Sequence, residues 1–110
     1  MSDYFKSEDL AKFGDIGRVN KKLADQFFQY YNSTMEEGAL SAREKSLIAL
    51  AVAHTLKCPY CIDAYTSTCL EKGADEEQMS EAVHVAASMA AGVTLVHSVQ
   101  MMNKIDDLEI

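Results

Sequence analysis

The sequence has no tryptophan, one proline, five glycines and three cysteines among its 110 residues. Three cysteines cannot staple a small secreted scaffold, and an odd number leaves one thiol without a partner. With so little proline and glycine there is no linker-like stretch, and no internal repeat or low-complexity run is visible. A single domain over residues 1–110 is the expectation, with residues 1–17 as a polar N-terminal arm. Basic residues are also scarce: ten Lys and Arg stand against seventeen Asp and Glu, a formal net charge of −7. That balance argues against a nucleic-acid binder, which carries a basic stripe, and against docking on an anionic membrane surface. The N-terminus has an acid at Asp3 and no apolar core of signal-peptide length, so the cytoplasm is the expected compartment.

Period-two alternation is missing as well, so no strand is expected. Helical spacing is present instead. In the arm, Leu10, Phe13 and Ile16 are apolar anchors around a short helical turn that ends near Gly14 and Gly17. Val19, Leu23, Phe27, Tyr30, Tyr31 and Met35 recur on one helical face, and Gly38 is the expected closing residue. Ser41-Ala-Arg-Glu44 is a capping box opening a second helix, in which residues 47–53 are apolar on every side. Cys58-Pro59 then reads as the N-cap and first position of a third helix, terminated by Gly73. A second capping pattern, Asp75-Glu-Glu-Gln78, opens a long helix to about Lys104, where Gly92 marks a place for a kink or a close approach. The fold class is therefore all-α, with about four main helices.

Within that last helix, residues 82–103 contain no Asp, Glu, Lys or Arg. A membrane span is one reading. The stretch also holds His84, Ser88, Thr94, His97, Ser98 and Gln100 and is rich in Ala, so a buried helix of a soluble protein is expected instead. The apolar helices exceed what a four-helix monomer covers readily, which predicts a homo-oligomer.

The chemistry concentrates at Cys58-Pro-Tyr-Cys61. With the helix starting at Cys58, both sulfurs lie at its N-terminal turn, where free N–H groups and the helix dipole favour a thiolate. One thiolate attacks, and the second resolves the product as an intramolecular disulfide. Three other uses compete: two buried, inert cysteines, a stable structural disulfide, which a reducing cytoplasm disfavours, and a structural zinc site. Its candidate ligands, His54, Cys58, Cys61 and Cys69, do not close a tetrahedron in one chain, because Cys69 falls eight residues beyond Cys61 on one helix, about 12 Å along the axis. No metal set and no cofactor are expected. His54 lies one helical turn before Cys58 and either accepts its proton or is a core histidine bonded to a carbonyl. Tyr65, four residues after Cys61, either donates a hydrogen bond to a thiolate or peroxide oxygen or packs as an ordinary tyrosine. Asp63 reads as solvated, Glu44 as the acid of the capping box, and Cys69 as a small buried hydrophobe. His84, His97 and methionines 79, 89, 101 and 102 read as packing or interface residues.

From Leu40-Ser-Ala-Arg-Glu-Lys-Ser-Leu-Ile-Ala-Leu-Ala-Val-Ala through Cys58-Pro-Tyr-Cys61-Ile-Asp-Ala, Lys72-Gly73-Ala74 and the Ala-rich helix, residues 40–104 resemble the alkylhydroperoxidase-D-like, carboxymuconolactone decarboxylase family. The resemblance implies an all-helical fold that assembles into dimers, trimers or hexamers. It also implies a cysteine pair acting as a peroxidase or disulfide reductase, fed by a thiol carrier. In the peroxidase branch the second cysteine attacks, which would make Cys61 peroxidatic and Cys58 resolving. The N-cap argument favours thiolate character at Cys58, so both assignments stand. That branch has a glutamate where this chain has Ser46 and a histidine where it has Tyr65, so the usual proton relay is absent, and His54 is the candidate replacement. The Cys-Pro-Tyr-Cys motif followed by tyrosine also resembles a subgroup encoded near radical-enzyme pathways for arsenic- or selenium-containing metabolites. The decarboxylase branch lacks a redox cysteine pair, so lactone decarboxylation is not favoured.

Two functions follow as expectations. The first is a thiol-dependent oxidoreductase cycling Cys58 and Cys61 between dithiol and disulfide, acting on a peroxide or disulfide with a thiol reductant as partner. The second is a non-enzymatic binding or assembly module whose cysteines hold an arsenical or a metal.

Overall fold

The computed structural model describes residues 6–109. Among them the chain is helical without strands: an N-terminal 3-10 segment Ser7–Arg18, then α1 Lys21–Met35, α2 Ala42–Leu56, α3 Pro59–Glu71, α4 Glu76–Val96 and α5 Ser98–Leu108. The all-α expectation holds.

Local signals place most of the boundaries. At α2, the Ser41 hydroxyl accepts from the Glu44 N–H at 3.0 Å while the Glu44 carboxylate accepts from the Ser41 N–H at 2.8 Å, satisfying two otherwise free donors. Hydrogen bonding to the carboxylate, first from the Ser41 backbone N–H and then from its side chain, holds the Glu44 carboxyl below its ordinary pKa. Asp75 and Gln78 repeat the reciprocal arrangement at α4. Gly73, at φ +90°, makes the left-handed turn after α3 without a Cβ penalty. Two boundaries depart from expectation. Asn20 caps α1 by accepting from the Leu23 N–H, and the helix ends at Met35 because Glu36 turns extended; Gly38 therefore does not close it. At the end of α2 a non-glycine residue, Lys57, takes the left-handed position, at φ 56°.

The long final helix is interrupted at His97 rather than at Gly92. Around the break Thr94, His97 and Ser98 turn their side chains back onto the carbonyls of Ala90, Val93 and Leu95. Such back-bonding bends helices. Gly92 meets no neighbour within 4 Å.

The core is small. Leu50, Cys69 and Ala74 are buried together, with Leu47, Tyr65 and Met79 packed against them, so α2, α3 and the start of α4 make the body. Only Ser46, Leu50 and Ala53 of α2 are fully buried. Ile48 and Val52, on the all-apolar stretch that belongs in a core or under another subunit, are about half exposed in the single chain at 51% and 48%.

The expected burial of α4 is not found. No residue of α4 or α5 is fully buried, and α5 has no substantial packing beyond α4. Together they form a rod that carries the radius of gyration to 19.1 Å, where a compact domain of about 100 residues has about 13 Å. Residues Glu76–Leu108 are, by length and composition, long and apolar enough to cross a membrane. The physical reason for the exposure is that α2 covers one side of the first half of α4, and no other described element packs on the remainder of the rod.

Candidate functional site: a cysteine pair under an apolar cleft

Cys58 leaves the helical row of α2 because Lys57 reverses the chain, and its backbone is already extended when α3 begins. Pro59 then occupies the first turn of α3, where a missing N–H costs nothing. The Cys58 sulfur caps the new helix, accepting the Cys61 N–H at 3.2 Å. This is the geometry that stabilises negative charge on sulfur. Cys58 and Cys61 are disulfide-bonded, with Cα atoms 5.3 Å apart, inside the span such a bond requires.

Both cysteines open onto a cleft of about 520 Å³. Tyr60, Ala64 and Tyr65 of α3 form one wall. The opposite wall comes from the N-terminal 3-10 segment through Leu10, Phe13 and Ile16, and Tyr31 of α1 contributes the end. The segment is held there at its start and at its middle. The Ser7 hydroxyl donates to the Asp63 carboxylate in a solvent-exposed contact, so Asp63 also tethers the segment. Phe13 stacks edge-on to Phe28, with ring centroids 4.9 Å apart, and meets Tyr31 at 88°. Charge appears only at the rim, where Asp9 and Lys12 pair at 3.1 Å. That pair raises the Lys12 pKa above its ordinary value, first through the side-chain hydrogen bond and then through the charge of Asp9.

Tyr65 combines two environments. Its ring packs on the Leu50–Cys69 core, and its hydroxyl is hydrogen-bonded to the hydroxyl of Tyr31 in the cleft. Burial raises the Tyr31 pKa above the ordinary tyrosine value. Tyr31 was not singled out as a site residue from the sequence. The only signal there was its place on the apolar face of the first helix, and nothing local joins it to Tyr65, 34 residues on.

His54 is not among the side chains lining the cleft. Its Nδ1 is 2.8 Å from the Leu50 carbonyl oxygen, which makes Nδ1 the protonated nitrogen in that contact. Ser46, 1% exposed, donates to the Ala42 carbonyl within its own helix and faces the core. Cys69 is wholly buried, and burial pushes its thiol pKa up. Among the described residues no three His, Cys, Asp or Glu side chains gather closely enough to hold a metal ion.

Comparison with known proteins agrees with this architecture. A relative from Paracoccus denitrificans, known as uncharacterized protein 4 in the cox locus, is 34% identical over 109 residues, spanning 99% of this chain and 98% of its own. An uncharacterized protein of Cupriavidus necator is 27% identical over 97 residues, covering 88% of this chain and 86% of its own. A shorter match, 36% over 53 residues, links about half the chain to an uncharacterized protein of Haemophilus influenzae. The model of the carboxymuconolactone decarboxylase family matches residues 21–104, from the start of α1 into α5. The chain belongs to the carboxymuconolactone decarboxylase family.

Proposed function

We propose that the protein is a thiol-dependent oxidoreductase that cycles Cys58 and Cys61 between dithiol and disulfide while reducing an organic hydroperoxide or disulfide. The observation that carries this reading is the cysteine pair itself: two sulfurs at bonding distance on a helix N-terminus, opening onto an accessible cleft. A structural disulfide has no need of a cleft, and an inert buried pair would not line one. The walls of Leu10, Phe13, Ile16 and Ala64 suit a carbon tail beside the reacting atoms. A thiol carrier would return the disulfide to the dithiol by exchange.

The test is thiol counting with intact-mass measurement. Reduced protein treated with limiting cumene hydroperoxide is expected to lose two thiols and two hydrogen masses, with the disulfide mapped to Cys58–Cys61. If the pair stays reduced, or if Cys58→Ser and Cys61→Ser each leave peroxide consumption unchanged, the reading fails.

Self-association belongs to the same proposal. Val85, Met89, Val93 and Val96 form an exposed stripe along α4, and Ile48, Val52 and Leu56 form another on α2. Apolar stripes left exposed among the described residues are the kind of surface that copies of the chain bury against each other. Sedimentation equilibrium at micromolar concentration is expected to give a multiple of 12.2 kDa, and a mass of 12.2 kDa would reject this part.

A further inference from the structure

On α2 the cysteine pair finds no acid–base partner: His54 bonds to a backbone carbonyl and lies off the cleft, and Ser46 is turned into the core. Yet reduction of a hydroperoxide needs a proton. When a thiolate takes the outer oxygen, the other oxygen leaves as an alkoxide, a strong base and a poor leaving group unless protonated as the O–O bond breaks.

Besides the sulfurs, the rim ion pair and Tyr60, the cleft is lined by the hydrogen-bonded hydroxyls of Tyr31 and Tyr65. Two phenols in one hydrogen bond carry two protons and use one between them. If Tyr31 is the donor in that bond, the proton of Tyr65 is left free for the cleft, and polarisation by Tyr31 makes it a stronger donor. The packing favours precise placement. The Tyr65 ring is seated on the Leu50–Cys69 core, and the Tyr31 ring is held by Phe27, 5.4 Å away between centroids, and by Phe13.

We propose that Tyr65 is the proton donor to the departing oxygen and that Tyr31 is the positioning residue that orients and strengthens it. The inference rests on the peroxide-reducing reading of Cys58 and Cys61. The step balances as follows. A thiolate of the pair forms an S–O bond with the outer oxygen of the hydroperoxide as the O–O bond breaks. The alkoxide takes the Tyr65 proton and leaves as the alcohol. The Tyr65 phenolate takes the proton of the second thiol. The new thiolate attacks the sulfenic sulfur, forming the disulfide and expelling hydroxide, which solvent protonates. Sulfur has lost two electrons and the hydroperoxide has gained them. The phenol pair is restored.

Leaving-group dependence separates this role from a merely structural one. The rate of thiol oxidation in the reduced, full-length protein is measured with tert-butyl hydroperoxide, whose leaving group is a basic alkoxide. It is measured again with peracetic acid, whose acetate leaves without a proton. Tyr65→Phe is expected to slow the first reaction by about 100-fold, toward the low end of what a general acid contributes, and Tyr31→Phe by roughly tenfold. The double variant should be no slower than Tyr65→Phe, because the two act as one unit. Peracetic acid should oxidise all three variants at nearly the parent rate, which also shows that the fold and the thiols are intact. Equal losses with both oxidants, or no loss with tert-butyl hydroperoxide, would overturn the proposal. Failure of the parent protein to form the Cys58–Cys61 disulfide with either oxidant would overturn the redox reading itself, and the tyrosine role with it.

Discussion

Replacing Cys58 with alanine or with serine distinguishes its two roles. Both substitutions remove the disulfide, but they differ at the helix terminus. In the structure the Cys58 sulfur accepts the Cys61 N–H at 3.2 Å and is the side-chain cap of α3. A serine hydroxyl keeps that bond and is the stronger neutral acceptor; an alanine methyl leaves the N–H without its side-chain partner. Loss of an N-cap side chain costs about 1 kcal/mol. For a domain of this size that corresponds to a fall in Tm of roughly 4–8 °C. The comparison is made under reducing conditions, because closing so short a loop by a disulfide itself contributes up to about 2 kcal/mol in the chain-entropy account. The assay is thermal unfolding followed by far-ultraviolet circular dichroism. The expected order is serine at or above the reduced parent, with alanine below both. Equal melting of the two variants would show that the sulfur does not cap α3 in the reduced protein. The argument for a stabilised thiolate at that position would then lose its geometric basis.

Other outcomes follow from the same geometry. In the native reduced protein, iodoacetamide should modify Cys58 and Cys61 while Cys69, wholly buried and with a raised thiol pKa, reacts only after denaturation; intact-mass spectrometry reads the difference. Glu44 titrates below its ordinary value of 4.5 because it accepts the Ser41 backbone N–H and its side-chain bond. Its contribution to stability is therefore full above 4.5 and is lost as pH falls through the lower folded-state value. Glu44→Gln should flatten the stability profile on the acid side of 4.5, and an unchanged slope in thermal melts would refute the assignment.

Much of this fold is legible along the chain because its determinants are local. Ser41 with Glu44, Asp75 with Gln78, Cys58 with Pro59, and Gly73 each act within four residues, and each stands where the spacing predicts. The failures are also physical. Gly38 looked like a helix stop, but Glu36 had already left helical geometry. The final helix breaks at His97 because three polar side chains compete for carbonyls there, which composition alone does not rank against Gly92. Burial of the Ala-rich helix was expected from its lack of charge. Apolarity states that a surface needs cover but does not supply the element that covers it.

The sequence by itself determined the helices, their caps, the family resemblance and the placement of two sulfurs at one helix start, since all of these depend on neighbours in the chain. Tertiary structure alone decided what surrounds those sulfurs. It brought Tyr31 to Tyr65 across 34 residues and laid the N-terminal segment over the pair, tied through Ser7 to Asp63. It also packed the first half of α4 on α2 and left the rest of α4 and α5 exposed. Such contacts are set by how helix faces pack together, and the periodicity of a single helix identifies its apolar face without naming the face it meets.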